Sequence, residues 1–141
     1  MQFNKVYIFS FLADTKDIKQ FTTSLEKMGV TVLDKPDQAD LIIVLGGDGS
    51  ILHKAKIAHR LQIPVVGINI GHKGFLADVE MHNLEVLNAI LSGFFVEDKR
   101  QVLNCSVGNE TFYAINEVMV NKAKPTRMIQ FEVYVNDQFL Y

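Results

Sequence analysis

The chain has 141 residues and a mass of 15.9 kDa, the size of one ordinary domain, which excludes a large multidomain enzyme. Hydrophobic residues make up 48% of it, so it can bury roughly two thirds of its unfolded surface without staples, and disorder is excluded. With 14 Lys and Arg against 16 Asp and Glu the net charge is -2, which gives nucleic-acid binding no electrostatic support, and the single cysteine, Cys105, points to a reducing compartment, by default the cytoplasm.

Lys5 followed by the apolar run Val6 to Ala13 has the outline of a secretory leader. Leu12-Ala13-Asp14 lacks the small-x-small cleavage pattern, however, and the run reads as a buried first strand over Val6 to Phe11. No apolar stretch approaches the ~18 residues of a membrane-spanning helix, so a soluble protein is expected. From Asp14 the apolar positions shift to Ile18, Phe21, Leu25 and Met28, a helical spacing that ends at Gly29. Val30 to Leu33 reads as a short strand. After a polar turn, Leu41 to Leu45 is a continuous apolar run, the mark of a strand buried on both faces.

Gly46-Gly47-Asp48-Gly49 closes that strand, and Ser50 is placed to cap a helix over Ile51 to Arg60. Pro64 then introduces a strand from Val65 to Ile70, and Leu84 to Leu91 reads as a helix. Strands alternating with helices predict an α/β fold with a parallel, Rossmann-like sheet over 1–93. From 94 to 141 the pattern turns to β. Val102 to Val107, the Gly108-Asn109 turn and Thr111 to Ile115 read as a hairpin, with Val118 to Val120 as another β segment. Met128 to Val135 alternates like a strand, Asn136-Asp137 favours a tight turn, and Phe139-Leu140-Tyr141 begins a returning strand.

The chemistry centres on Gly46-Gly47-Asp48-Gly49-Ser50, at the carboxyl end of a buried strand and the start of a helix, where open α/β sheets bind ligands. Glycines let the backbone approach a phosphate, and the free amides of a helix start face the anion. The bland alternative is a tight strand-to-helix turn with Asp48 as a simple cap. A carboxylate among phosphate-binding amides repels the ligand unless it binds a cation or takes a proton, which suits phosphoryl transfer. The Walker pattern is absent, because no glycine precedes a lysine, and G-x-G-x-x-G fails at Leu52.

Two further clusters follow strands. Asn69, Gly71, His72, Lys73, Gly74 and Phe75 form a polar loop on the same sheet edge as Asp48, or an ordinary βα loop. Asn116-Glu117 interrupts an apolar run, either to bond a ligand or as a solvated edge pair. His53, His59, His72, His82 and Cys105 lack metal-ligand spacing, so no protein metal site is expected. His53, one turn after Asp48, is a candidate ligand contact, and Arg127 is either a surface cation or an anion clamp.

In order and spacing, the segments Leu45 to Ser50, Val66 to Ala77, Ala114 to Val118 and Arg127 to Val135 resemble the N-terminal half of bacterial NAD kinases. Gly-Gly-Asp-Gly alone is shared with phosphofructokinases and with diacylglycerol and sphingosine kinases, whereas the combination with the Asn69 to Ala77 loop and Asn116-Glu117 is specific. The resemblance implies transfer of the terminal phosphate of ATP, or of polyphosphate, to the 2′-hydroxyl of the adenosine ribose of NAD, with a divalent metal, normally magnesium, accompanying the nucleotide. It implies Asp48 as proton acceptor with Gly49 beside it in the NAD site, and Asn116 and Glu117 on the dinucleotide, while Gly46, Gly47 and Asn69 are candidate nucleotide contacts from their place at the sheet edge. His53 and Arg127 match positions where some members contact NAD. Ser50 stands where the family more often has Thr.

Members are usually homodimers or homotetramers, and they continue from the Met128 hairpin through Asp-Gly and Thr-Gly-Ser segments of a β-rich, sandwich-like domain. The expectation is therefore a truncated NAD kinase, with 1–93 as the α/β domain and 94–141 as the start of a β-rich NAD-binding domain. The other two readings are a sugar or lipid kinase with the same glycine loop and a noncatalytic nucleotide-binding fragment.

Overall fold

The computed structural model describes residues 3–11, 16–71, 74–77, 79–124 and 128–141. Five parallel strands, β1 (Lys5–Ser10), β2 (Thr31–Leu33), β3 (Leu41–Leu45), β4 (Val65–Asn69) and β5 (Val79–Glu80), form one sheet in the order β2-β1-β3-β4-β5. Helix α1 (Lys16–Lys27) joins β1 to β2, α2 (Asp48–Leu61) joins β3 to β4, and α3 (Leu84–Leu91) follows β5. The α/β sheet expected from the sequence is present, and β5 is an additional short strand that the alternation pattern did not reveal.

Strand β3 explains why the sheet has helices on both sides. Successive side chains of a strand point to opposite faces. Leu41, Ile43 and Leu45 pack with Phe21 and Leu25 of α1 and Leu87 and Leu91 of α3, while Ile42 and Val44 pack with Ile51 and Ala58 of α2. Burying each such aliphatic side chain contributes about 1.5–3 kcal/mol, which is why no polar residue interrupts this run. Because parallel crossovers are right-handed, the leftward step through α1 and the rightward step through α2 place those helices on opposite faces. The chain reverses direction across the sheet between β1 and β3, so their carboxyl ends, Ser10 and Leu45, flank a crevice. At the opposite edge, Asp40 Oδ2 accepts from the amides of Asn4 at 3.1 Å and Lys5 at 3.0 Å, tying the start of β1 to that of β3.

Each helix boundary has a local cause. Helix α2 opens at Asp48, two residues before the expected Ser50 cap. Gly47, extended at φ -98° and ψ -172°, occupies the cap position, and no side chain caps the turn. It ends where Gln62 turns left-handed and its amide bonds back to Ala58 and His59. Helix α3 is capped by the Asn83 side chain, which accepts from the Val86 amide at 3.2 Å.

Every buried hydrophobic residue among those described lies between Phe3 and Leu91. Beyond it, β6 (Leu103–Val107) and β7 (Glu110–Ala114) form an antiparallel hairpin with Gly108 at φ 59° in its turn. A second hairpin pairs β8 (Tyr134–Val135) with β9 (Gln138–Phe139) through Asn136 and Asp137, at φ 50° and 64°, as their sequence expects. The strand expected over Met128 to Val135 shrinks to two residues, and Val118 to Val120 forms no strand. Alternation makes a strand only where a partner supplies hydrogen bonds and a covered face, and here Met119, Val120, Met128 and Phe131 are exposed. Among the described residues, no helix is long and apolar enough to cross a membrane.

Candidate functional site

The Gly46 to Gly49 loop leaves β3 at the carboxyl edge of the sheet and becomes the first turn of α2. Gly46 is tied to the sheet by its amide, which donates to the Ile68 carbonyl at 2.9 Å. A Cβ at Gly46 would strike the Ser50 hydroxyl, so the turn closes only with glycine. Gly47 and Gly49 are exposed, and a Cβ on either would meet nothing within 4 Å. The fold itself therefore does not require glycine at these two positions. The amides of Asp48 and Gly49, in the first turn, have no carbonyl four residues back inside the helix and point outward from its start.

Asp48 is half-buried, and its carboxylate is bound by the next loop of the sheet edge. The Phe75 amide donates to Oδ2 at 2.8 Å, and the Leu76 and Ala77 amides donate to Oδ1 at 2.9 and 3.2 Å. These bonds hold the carboxyl below the usual carboxylate range, the Phe75 amide contributing most and Leu76 next, against a partial opposing effect of burial. Asp48 is thus an anion at neutral pH. An ionised carboxylate has about four lone-pair positions, so three amides leave roughly one, on Oδ2, for another donor.

Two glycines make this contact possible. A Cβ on Gly74 would collide with the Asp48 carboxylate. A Cβ on Gly67, in β4, would meet Ile51 of α2 and stand 2.9 Å from the Leu76 carbonyl oxygen and 3.1 Å from Ala77 Cα. The sequence placed the Asn69 to Phe75 loop on the same edge as Asp48. It did not reveal that the backbone of 75–77 grips the carboxylate. Asn69 is buried at 7% exposure and its Oδ1 accepts from the Gly71 amide at 2.8 Å, so it shapes the start of this loop.

Three of the other expected residues, His53, Asn116 and Glu117, are exposed at the surface. His53 is exposed on α2, its ring 5.6 Å from that of Phe11. Asn116 and Glu117 are exposed just beyond β7, and among the described residues no hydrogen bond joins them to Asp48. His72, Lys73 and Arg127 lie outside the described residues. Among the described residues, no group of three His, Cys, Asp or Glu side chains converges to hold a metal ion.

On the α1 face of the same edge, a cleft of about 350 Å³ is lined by Ser10, Asp17, Leu45, Asn69, Glu80 and His82, among others. Two carboxylates on its wall make it a poor phosphate receptor, whereas the start of α2 presents free amides.

The model of the ATP-NAD kinase N-terminal domain matches residues 9–95. The chain is 38% identical over 128 residues to the NAD kinase of Laribacter hongkongensis, covering 84% of this chain and 44% of that protein. It is 38% identical over 132 residues to the NAD kinase of Chromobacterium violaceum (87% and 45%), and 40% identical over 116 residues to that of Wigglesworthia glossinidia brevipalpis (79% and 39%). The chain spans less than half the length of these curated relatives.

Proposed function

The chain belongs to the NAD kinase family, and we propose that the protein transfers the terminal phosphate of ATP, or of inorganic polyphosphate, to the 2′-hydroxyl of the adenosine ribose of NAD, giving NADP. The observation that carries this reading is the Asp48 carboxylate, held ionised by three backbone amides beside a helix start with free amides.

In this reading the amides of Gly47 to Gly49 face the phosphates, and the remaining lone pair on Asp48 Oδ2 accepts from the attacking ribose hydroxyl. A carboxyl with a lowered pKa has little affinity for a proton. Its main work is then to orient the hydroxyl and to take its proton late. That suits phosphoryl transfer through a loose transition state, where positioning and electrostatics dominate. A divalent ion, normally magnesium, would come with the phosphates, since such ions are held largely by substrate oxygens and water. Asn116, Glu117 and Arg127 belong to the proposal as contacts for the dinucleotide, in a β-rich region starting near residue 94, with 1–93 as the nucleotide-loop domain.

A homo-oligomer in the cytoplasm completes the reading. The exposure of Val96, Met119 and Met128, at 97%, 73% and 96%, favours a further surface packing against 94–141.

Calorimetric titration with NAD and with ATP, joined to an assay for NADP in the same sample, tests the proposal. Binding of both with NADP formed supports it, and Asp48→Asn is expected to lower turnover by about 10²–10⁴-fold. Phosphorylation of a sugar or lipid while NAD stays inert would sink it.

A further inference from the structure

Phe11 is 58% exposed, although it directly follows β1, a central strand of the sheet. Its ring meets that of Phe9 edge-on, with centroids 4.8 Å apart and planes at 85°. The His53 imidazole lies 5.6 Å away on its other neighbour, α2, tilted by 53°. The Lys54 ammonium rests 3.5 Å from the Phe9 centroid and 6.0 Å from that of Phe11. The α2-side core is built from Ile42, Val44, Ile51, Ala58 and Ala77, and Phe11 is not packed in it.

A single exposed aromatic residue means little. Two placements give this one a direction. In the register of β1 with β3, Phe9 pairs with Val44 and Ser10 with Leu45, so the next step sets Phe11 level with Gly46. His53 follows Gly49 by one helical turn, so the imidazole and the glycine share a face of α2. The rings and the ammonium therefore border the glycine loop.

We infer that Phe11 and His53 form an open stacking surface for the adenine ring of a nucleotide whose phosphates sit on the Gly46 to Gly49 loop, with Lys54 as the flanking cation. This rests on the kinase reading above and extends it to base recognition. Flat heteroaromatic bases stack on phenyl and imidazole faces, and the contact depends on the ring rather than on its hydrogen-bonding edge. Lys54 carries its charge on a flexible stem over Phe9, at the edge of the same ring cluster. ATP and NAD both carry adenine, whereas inorganic tripolyphosphate carries none.

The sequence contains no tryptophan, so Phe11→Trp keeps an aromatic face and adds a single fluorophore. ATP or NAD is expected to quench its emission, and tripolyphosphate to leave it unchanged. By calorimetry, Phe11→Ala is expected to weaken the stacked nucleotide roughly tenfold, within a range of about 5 to 100, and to leave tripolyphosphate affinity as it was. The nucleotide whose affinity falls identifies which adenine is stacked. Binding of ATP and of NAD with quenching by neither, or an equal loss for the nucleotide and tripolyphosphate in Phe11→Ala, overturns the stacking surface and leaves the kinase reading standing. A wild-type chain that binds none of the three ligands overturns both.

Discussion

Gly49 separates what the fold needs from what a ligand needs. It is the second residue of α2, it is exposed, and an added Cβ meets nothing within 4 Å. Glycine in a helix costs about 0.5–1 kcal/mol relative to alanine, because the unfolded chain has more freedom to lose. Gly49→Ala is therefore expected to stabilise the protein by about that amount, raising Tm by roughly 2–4 °C for a chain of this length. The same methyl group stands where a phosphate would approach the loop. Losing one charge-assisted hydrogen bond to the loop costs about 1.5–3 kcal/mol, or roughly 10- to 100-fold in affinity. Scanning calorimetry and a titration with ATP on the same variant read both quantities. A lower Tm would refute the geometry assigned to the start of α2. A higher Tm with unchanged affinity for ATP and NAD would reduce the glycine loop to a plain strand-to-helix turn.

Two further outcomes follow from the Asp48 contacts. The three amides lower its folded pKa from an ordinary 3.8, so the stabilisation it provides is fully present above that value and is lost as the pH falls through the lowered one. The difference in urea midpoint between wild type and Asp48→Asn should hold at neutral pH and shrink in acid below about pH 4; a gap independent of pH would contradict the linkage. Gly67→Ala should destabilise by about 1–3 kcal/mol, because its new methyl presses on Ile51 and on the Leu76 backbone, and a side-chain rotation relieves only the first. An unchanged denaturation midpoint would show that the 76–77 backbone moves aside freely.

What the sequence revealed follows from where the physics is local. The run Leu41 to Leu45 reads as a strand because both faces of β3 are covered, and α1 reads as a helix because Phe21 and Leu25 recur on the buried side. The loop with Asp48 was visible for the same reason, since glycines after a buried strand and before a helix are a local pattern. The grip of residues 75–77 on Asp48 was not visible. It joins backbone amides to a side chain 27 to 29 residues earlier, and amides have no signature in the sequence; Gly74 was the one hint. Met128 to Val135 misled for the opposite reason, because alternation is a strand pattern only with a partner, and among the described residues only Tyr134–Val135 is paired. Phe11 passed as the end of an apolar strand, and only its exposure and its neighbours on α2 set it apart.

That every buried hydrophobic residue among those described lies between Phe3 and Leu91 has a consequence in time as well as in space. A ribosome releases the chain from its N-terminus, and domains fold as they emerge at about 5–20 residues per second. The sheet, its covering helices and the Asp48–Ala77 contact can be complete once Leu91 has emerged, with roughly 25 further residues still needed to reach Asn116, a delay of about 1–5 s. On the proposed reading, the nascent protein would during that interval carry the Gly46 to Gly49 loop without Asn116 and Glu117. If that reading holds, free ATP bound to the folded segment stabilises it by mass action before the rest of the polypeptide exists.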